Sequence, residues 1–427
     1  RAQVEIDFTK ANIDNLLPGF VKPAGKAAKA SFILINDTSG PDLENFVFDG
    51  GTAFAKVTIE LDPVGGMERL KLTQVRLSPG DDMQIMAEQT KDLLKLSISG
   101  KSVDAKPFLR LLTTGTAPRA GSGPSKDFDV DLKANLVTGY NNQSASNVTL
   151  RMGRRAGQIR IFNLNGKFGR DNVVGSVVRV QNEPQISLAT NDGGALLNFF
   201  DLYRRMEGGK LQFTALLSEG EIDGTVMVQN FIVRNEPALR RLVSEGVAQR
   251  DRSGQFKIDT NAAAFTKMQV SFTRAPGRID LRDGVIYGPE AGTTIEGTLD
   301  TINDRVNVTG TFVPAYGLNN FFSKIPLFGV FLGGGANEGL FGINFRIAGP
   351  STSPTLTINP LSALAPGFLR KIFGAGEGGA GQNTPPVNVP QSGEGPAEGQ
   401  KEGAQKENAP RETPMQYAPT RRVLPFR

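Results

Sequence analysis

Residues 128–136 read Phe-Asp-Val-Asp-Leu-Lys-Ala-Asn-Leu, so apolar and polar side chains alternate at each step. A period of two is typical of a β-strand that has one apolar face and one polar face. The polar positions include Asp129, Asp131 and Lys133, whose charges belong in water. This stretch therefore predicts a strand in an antiparallel sheet that is wet on one side.

The same alternation recurs along most of the chain. Turn-forming pairs such as Gly65-Gly66 and Asp283-Gly284 separate the alternating stretches. At this spacing the chain has room for roughly twenty strands, interrupted by short helical patterns at 104–112, 195–206 and 237–242. The sequence predicts an all-β fold with a few short helices, in which a long, curled, mostly antiparallel sheet forms an elongated open groove. The other alternating stretches are 4–8, 53–61, 94–98, 148–152, 174–180, 222–228, 268–272, 295–299 and 341–347.

Three residue types are missing from the 427-residue chain: Cys, His and Trp. Without Cys and His, a disulfide, a thiol nucleophile and a zinc site built on these side chains are excluded, and so is the commonest general base at neutral pH. The composition therefore excludes most hydrolase and metalloenzyme functions, and we expect a protein that is not an enzyme and has no metal and no cofactor. The net charge of +5 is spread thinly, in pairs such as Arg154-Arg155, which does not favour nucleic-acid binding.

The apolar face of the predicted sheet is mostly aliphatic, because the chain has no Trp and only 5 Tyr. Glycines inside the strands, at Gly175, Gly224, Gly297 and Gly342, predict bends and curvature. A curled sheet without a second layer would be an open trough that acyl chains could fill; the alternative is an ordinary closed sandwich core. The candidate groove residues are Val57, Ile59, Leu94, Leu96, Val130, Leu132, Val178, Val226, Val228, Val270, Ile295, Ile343 and Phe345.

The composition divides the chain into three predicted segments. Residues 1–305 hold the strands of the β-groove, 306–373 hold capping strands and short apolar helices, and 374–427 are rich in Gly, Pro, Glu and Gln. Such a tail buries too little apolar area to offset chain entropy, so it is predicted to be disordered. In 306–373, apolar clusters beside a few Lys and Arg either contact a membrane or plug the end of the sheet. These candidate cap residues are Phe321, Phe322, Ile325, Leu327, Phe328, Phe331, Phe368, Leu369, Ile372 and Phe373.

Several short motifs lie near the end of the globular part, and one lies near the start of the chain. They are GTFVPAYGLN at 310–319, KIPLFG at 324–329, IAGP at 347–350, NPLSALAPGFLR at 359–370 and LPGF at 17–20. Together they resemble the C-terminal region of the AsmA-like family, on its YhdP branch, which is related to TamB and to the bridge-like lipid transfer proteins. The resemblance is specific over 305–373 and diffuse over the rest of 1–373.

The resemblance implies a non-enzymatic protein of the Gram-negative envelope. On this interpretation the chain lies in the periplasm and is anchored in the inner membrane through an N-terminal segment that is absent from this chain. Its hydrophobic β-groove would hold phospholipid acyl chains and support lipid transport between inner and outer membrane, and so outer-membrane integrity. Its partners would be the two membranes and other envelope proteins, without nucleic acid.

Two further functions stay open at the level of sequence. A scaffold for outer-membrane assembly would use the same fold without lipid passage. A β-solenoid carbohydrate-active enzyme would need two carboxylates facing a polar cleft, and the pairs available are Asp81 with Asp82 and Asp129 with Asp131. Since Asp129 and Asp131 fall on the polar side of an alternating strand, a solvated face is the simpler interpretation of that pair.

Overall fold

A single large sheet dominates the computed structural model of this protein. The sheet has 20 strands, and two further short strands form a separate hairpin. The prediction of an all-β fold with few helices is therefore confirmed. The structure describes residues 1–14, 21–37, 40–51, 53–61, 67–90, 92–109, 127–156, 158–180, 183–217, 221–247, 258–314 and 342–359.

Many strands are long, and several reach 12 residues or more. In the first part of the chain they are β1 Ala2–Asp7, β2 Ile13–Asp14, β3 Val21–Lys22, β4 Lys29–Asp37, β5 Gly40–Asp49, β6 Phe54–Leu61, β7 Met67–Arg76, β8 Asp82–Gln89, β9 Leu93–Asp104, β10 Asp127–Thr138 and β11 Ser144–Arg155. The remaining strands are β12 Gln158–Phe168, β13 Asp171–Val180, β14 Glu183–Thr190, β15 Met206–Leu217, β16 Ile222–Arg234, β17 Ala262–Ala275, β18 Arg278–Tyr287, β19 Ala291–Asp300, β20 Arg305–Pro314, β21 Ile343–Pro350 and β22 Thr355–Asn359.

The strand order follows the sequence almost throughout. Each strand from β4 to β21 pairs with the next strand along the chain, and β1 pairs with β4. These pairs are antiparallel except β9 with β10, which is parallel. Within the described residues β1 and β22 each pair with one strand only, so the sheet is open. The short hairpin consists of β2 and β3.

The two ends of the sheet carry different connections. Every helix among the described residues lies at one end, which we call the helix end. It receives α1 (Gly193–Phe199) after β14, α2 (Pro237–Arg241) after β16, and the π-helix Leu242–Val247 that continues α2. The opposite end, which we call the turn end, joins β11 to β12, β13 to β14, β15 to β16 and β17 to β18.

The helices begin at capping residues that the sequence provides. The Asp192 carboxylate accepts a hydrogen bond from the Ala195 N–H at 2.9 Å and caps α1. α2 starts with a proline in its first turn, where the backbone N–H that proline lacks would have had no partner within the helix. The helix predicted over 195–206 is shorter than expected, because the chain enters β15 at Met206, which pairs with Val233.

The predicted segments map unevenly onto the structure. β20 begins at Arg305 and pairs with β19 along its length, so the boundary at 305/306 falls within a continuous sheet. The predicted cap residues, from Phe321 to Phe373, and the tail 374–427 lie outside the described residues. Among the residues that are described, no helix is long and apolar enough to cross a bilayer.

Candidate functional site

One face of the sheet is apolar from strand to strand, and we call it the apolar face. Because paired residues of neighbouring strands project to the same side, the register traces one residue per strand from β5 to β22, and we call this line the central row. It consists of large apolar side chains and glycine, and a bulge in β18 interrupts the register at one step, opposite Val270. The central row comprises Phe46, Val57, Leu72, Ile85, Ile98, Leu132, Leu150, Leu164, Gly175, Leu188, Phe213, Val226, Val270, Gly284, Ile295, Gly310, Phe345 and Ile358.

The large side chains of the central row are only half-buried in the middle of the sheet. From β8 to β16 they keep partial contact with solvent, as Ile98, Leu132 and Leu188 do. The adjacent row toward the helix end, which we call the lower row, is buried. The apolar face therefore has an accessible strip along its centre and a closed strip at the helix end. The buried members of the lower row are Ala55, Val75, Met83, Ala134, Val148, Val173, Leu211, Val228, Phe312 and Ile343.

The candidate groove residues, with one exception, lie on this apolar face. Their strands differ in sequence, but the register brings them to the same side of the sheet. They are Val57, Ile59, Leu94, Leu96, Val130, Leu132, Val226, Val228, Val270, Ile295, Ile343 and Phe345.

The placement of Val178 in the groove is wrong. Val178 pairs with Gln185 on the opposite, polar face, whereas its neighbours Val177 and Arg179 lie on the apolar face. The strand β13 has valines at successive positions, so both of its alternating sets contain apolar residues. A shift of one residue exchanges the two faces, and the sequence of this strand does not distinguish them.

The helix α1 covers the helix end of the apolar face. The Phe199 ring packs edge-on against Phe168, with the centroids 5.5 Å apart, and it occupies the space that a side chain at Gly139 would need. The side chain of Asn141, in the turn between β10 and β11, donates a hydrogen bond to the backbone oxygen of Asn198 at 3.0 Å. Sequence reasoning found this helix but not its contact with a turn that lies far upstream.

The helix α2 and the π-helix cover the last strands of the sheet. Leu239 and Leu242 belong to a buried cluster with Phe312 and Ile343. Sequence reasoning missed this covering role, although the spacing of the two leucines by three residues is the signal of a short apolar helical stripe. Protein side chains therefore close the apolar face near β22, whereas the central row stays accessible from β8 to β16.

Two of the glycines that predict bends instead make room for aromatic rings. A side-chain carbon at Gly175 would lie 2.5 Å from Phe162 Cε1, and one at Gly224 would lie 2.6 Å from Phe272 Cζ. Each ring therefore leans over the neighbouring strand instead of standing up from the sheet. At Gly297 the backbone has φ +151° and approaches the opposite strand closely, which only glycine tolerates.

The carboxylates proposed for an enzyme are engaged in ion pairs on the polar face. Asp129 accepts a hydrogen bond from Arg155 at 2.7 Å, and Asp131 lies 3.5 Å from the Arg151 guanidinium. The hydrogen bond from Arg155 is the main reason why the pKa of Asp129 is lowered. A general acid needs a raised pKa, so Asp129 is not suited to that role.

The second carboxylate pair is divided between two contacts. The Asp81 carboxylate accepts hydrogen bonds from the backbone N–H groups of Leu77, Ser78 and Asp104, at 3.1, 2.8 and 2.7 Å. It thereby ties the turn between β7 and β8 to the end of β9. The Asp82 side chain is 64 % exposed and lies 3.5 Å from the Lys101 ammonium.

A shallow cavity of about 430 Å³ lies over the strands β9 to β12. Eight of its eleven lining residues project to the polar face, among them Asp131 and Arg151, and the other three are Ile98, Leu132 and Leu150 of the central row. The cavity is therefore lined mainly by polar-face residues and shares Ile98, Leu132 and Leu150 with the central row.

No group of three or more Asp or Glu side chains in the described ranges is arranged to hold a metal ion. No family model, no curated protein and no solved structure matches this chain. The apolar face is therefore the feature from which a function has to be inferred.

Proposed function

We propose that the apolar face binds the acyl chains of phospholipids, and that the protein is a non-enzymatic component of the bacterial envelope that supports lipid transport between inner and outer membrane. The observation that carries this proposal is the central row, which runs through every strand from β5 to β22 and is half-buried from β8 to β16. Soluble proteins rarely leave so long an apolar strip to water. A hydrocarbon chain would cover it.

The repetition of similar side chains favours lipid movement over tight binding at one place. Each methylene that leaves water contributes about 0.8 kcal/mol. Leu132, Leu150 and Leu164 present equivalent aliphatic contacts on three successive strands. An acyl chain that moves by one strand exchanges one leucine contact for another, so no deep energy minimum holds the lipid at one place. The resemblance to the AsmA-like family points to the same activity.

The covered helix end gives the bound lipid an orientation. The lower row is already buried under protein, with Leu211 and Val228 exposed by 2 % and 0 %. Acyl chains on the central row would therefore be bounded on that side. The turn end is left as the side where headgroups meet water.

The test is lipid capture by the full chain. Native mass spectrometry after extraction in mild detergent should detect phospholipid on the wild-type protein. The substitution Val226→Asp places a carboxylate in the central row, and because an unpaired charge is costly to bury, it should lower the bound lipid by about tenfold or more.

The matched control is Thr225→Asp, one residue away on the polar face, where Thr225 pairs with Thr214 and Ser271. This variant should carry as much lipid as the wild type, and circular dichroism should show both variants folded. A wild-type protein without phospholipid, or a folded Val226→Asp variant that carries the normal amount, contradicts the proposed function.

A further inference from the structure

Arginines occupy three positions where the apolar face reaches the turn end, and we call Arg154, Arg179 and Arg274 the rim arginines. Arg154 continues the alternation of β11 and pairs with Phe128 and Ile159. Its guanidinium lies over the Phe128 ring, 5.0 Å from the centroid. The cation is therefore held on the apolar side of the sheet by an aromatic side chain.

The other two rim arginines have similar apolar partners. Arg274 pairs with Ile222 and Ile279, and Arg179 pairs with Pro184. Neither residue forms an ion pair with any part of the chain that the structure describes. Burial lowers the pKa of Arg274, because its guanidinium has lost part of its contact with water.

An arginine of the same turn provides the contrast. Arg278 follows the turn that begins after β17, projects to the polar face and binds Asp280 at 2.7 Å. Arg274 lies just before that turn on the apolar face, and its two cross-strand partners are isoleucines. A desolvated guanidinium is stabilised by an anion with oxygen acceptors in its plane. Among the residues that the structure describes, Arg179 and Arg274 thus lie on the apolar face without a carboxylate partner.

We propose that the rim arginines bind the phosphate groups of phospholipids whose acyl chains lie on the apolar face. This inference rests on the function proposed above and adds the headgroup chemistry. A guanidinium binds two phosphate oxygens through parallel N–H groups. The headgroup then lies at the turn end, and the acyl chains extend over the central row toward the lower row.

The spacing of the rim arginines makes Arg274 a separate binding position from Arg154 and Arg179. They lie on β11, β13 and β17, and at about 4.8 Å per strand these are about 10 Å and about 19 Å apart along the sheet. One phosphate cannot bridge the longer of these distances, between Arg179 and Arg274. A lipid that moves along the central row would meet these positions one after another.

The experiment compares three probes on the full chain: dioleoyl phosphatidylglycerol, dioleoylglycerol, which has the same chains without the phosphate, and inorganic phosphate. The wild type should bind the phosphatidylglycerol more tightly than the dioleoylglycerol. The double variant Arg179→Gln/Arg274→Gln should lose about tenfold in phosphatidylglycerol affinity for each arginine, which is the usual size of one lost charge-assisted hydrogen bond. Its affinity for dioleoylglycerol should stay unchanged.

The control Arg278→Gln removes a cation from the polar face of the same turn and should leave both lipid affinities unchanged. If the wild type binds neither lipid, the proposed function itself fails. If it binds both equally, or if the double variant weakens both lipids alike, the headgroup inference is overturned and acyl-chain binding stands. If inorganic phosphate alone displaces the phosphatidylglycerol completely, the site recognises a free anion and the lipid assignment is overturned.

Discussion

Arg241 in α2 donates a hydrogen bond from Nη1 to the backbone oxygen of Leu356 in β22, 115 residues further along the chain, at 3.2 Å. Two more hydrogen bonds, at 2.8 and 3.1 Å, hold the same guanidinium on Glu245 in the π-helix. Since β22 pairs within the described residues with β21 alone, this contact fixes the helices on the last strand of the sheet.

Replacing Arg241 with alanine should loosen β22. The strand loses a hydrogen bond from a charged donor, and such bonds contribute about 1.5–3 kcal/mol when they are well shielded from water. Because the Arg241 guanidinium is exposed, we expect a loss at the lower limit of this range. This loss corresponds to about tenfold faster amide hydrogen exchange in Thr355–Asn359. The control is Arg240→Ala, an exposed residue of the same helix, which should leave the exchange unchanged. Equal protection of β22 in both folded variants would show that the Arg241 contact does not hold the strand.

Gly175→Ala should force the Phe162 ring off the neighbouring strand. Overpacking of this kind typically lowers the free energy of unfolding by about 1–3 kcal/mol, and we expect a loss in this range for Gly175→Ala. The double variant Gly175→Ala/Phe162→Leu makes room for the added carbon and should recover part of that loss. Urea unfolding of the two variants measures both effects, and a double variant less stable than Gly175→Ala would exclude the ring as the obstacle.

Asp81→Ala should be clearly destabilising, because three backbone N–H groups lose their acceptor. Each buried N–H donor that loses its acceptor costs about 1–3 kcal/mol. Because solvent near the turn can replace part of what is lost, we expect the three losses together to lower the free energy of unfolding by about 2 kcal/mol. Asp82→Ala removes an exposed carboxylate and should change the free energy of unfolding by less than about 0.5 kcal/mol. Denaturant titration of both variants checks the difference, and similar values for the two would refute the role given to Asp81.

The ion pair between Asp129 and Arg155 should make a pH-dependent contribution to stability. The pKa of Asp129 is lower in the folded protein than its usual value of 3.8, mainly through the hydrogen bond from Arg155. The folded state therefore gains stability above the unfolded pKa, and this gain disappears as the pH falls through the folded pKa. Asp129→Asn should be less stable than the wild type at pH 7, and the difference should shrink as the pH falls below 3.8 and vanish once the pH has passed the lowered folded pKa. A difference that stays constant across this range would assign it to packing instead.

Local alternation predicts the faces of most strands but not of all. In β10 the charges of Asp129 and Asp131 mark the wet side, so Val130 and Leu132 are assigned correctly. In β13 the charge among the valines, Arg179, lies on the apolar face and does not mark the wet side, and Val178 is assigned to the wrong face. The difference has a physical reason: a short carboxylate side chain in mid-strand favours the wet side, whereas a valine packs acceptably on either side and the long stem of an arginine can lie along an apolar face.

The glycines within the strands are a second feature whose structural role the sequence alone does not predict. In-strand glycine predicts weak packing, and curvature is one outcome of it. The structure shows the other outcome, a ring from the next strand lying in the vacant space, at Gly175 with Phe162 and at Gly224 with Phe272. These partners lie on different strands, so the spacing along the chain does not reveal them.

The amino-acid sequence by itself determined that this chain is a long series of strands with one apolar and one polar side, because side-chain direction alternates at every residue and needs no distant partner. Only the tertiary structure decided which residues meet: the central row, the rim arginines and the contact of Arg241 with Leu356. Register and bulges set those meetings, and both depend on pairing between segments that the sequence keeps apart.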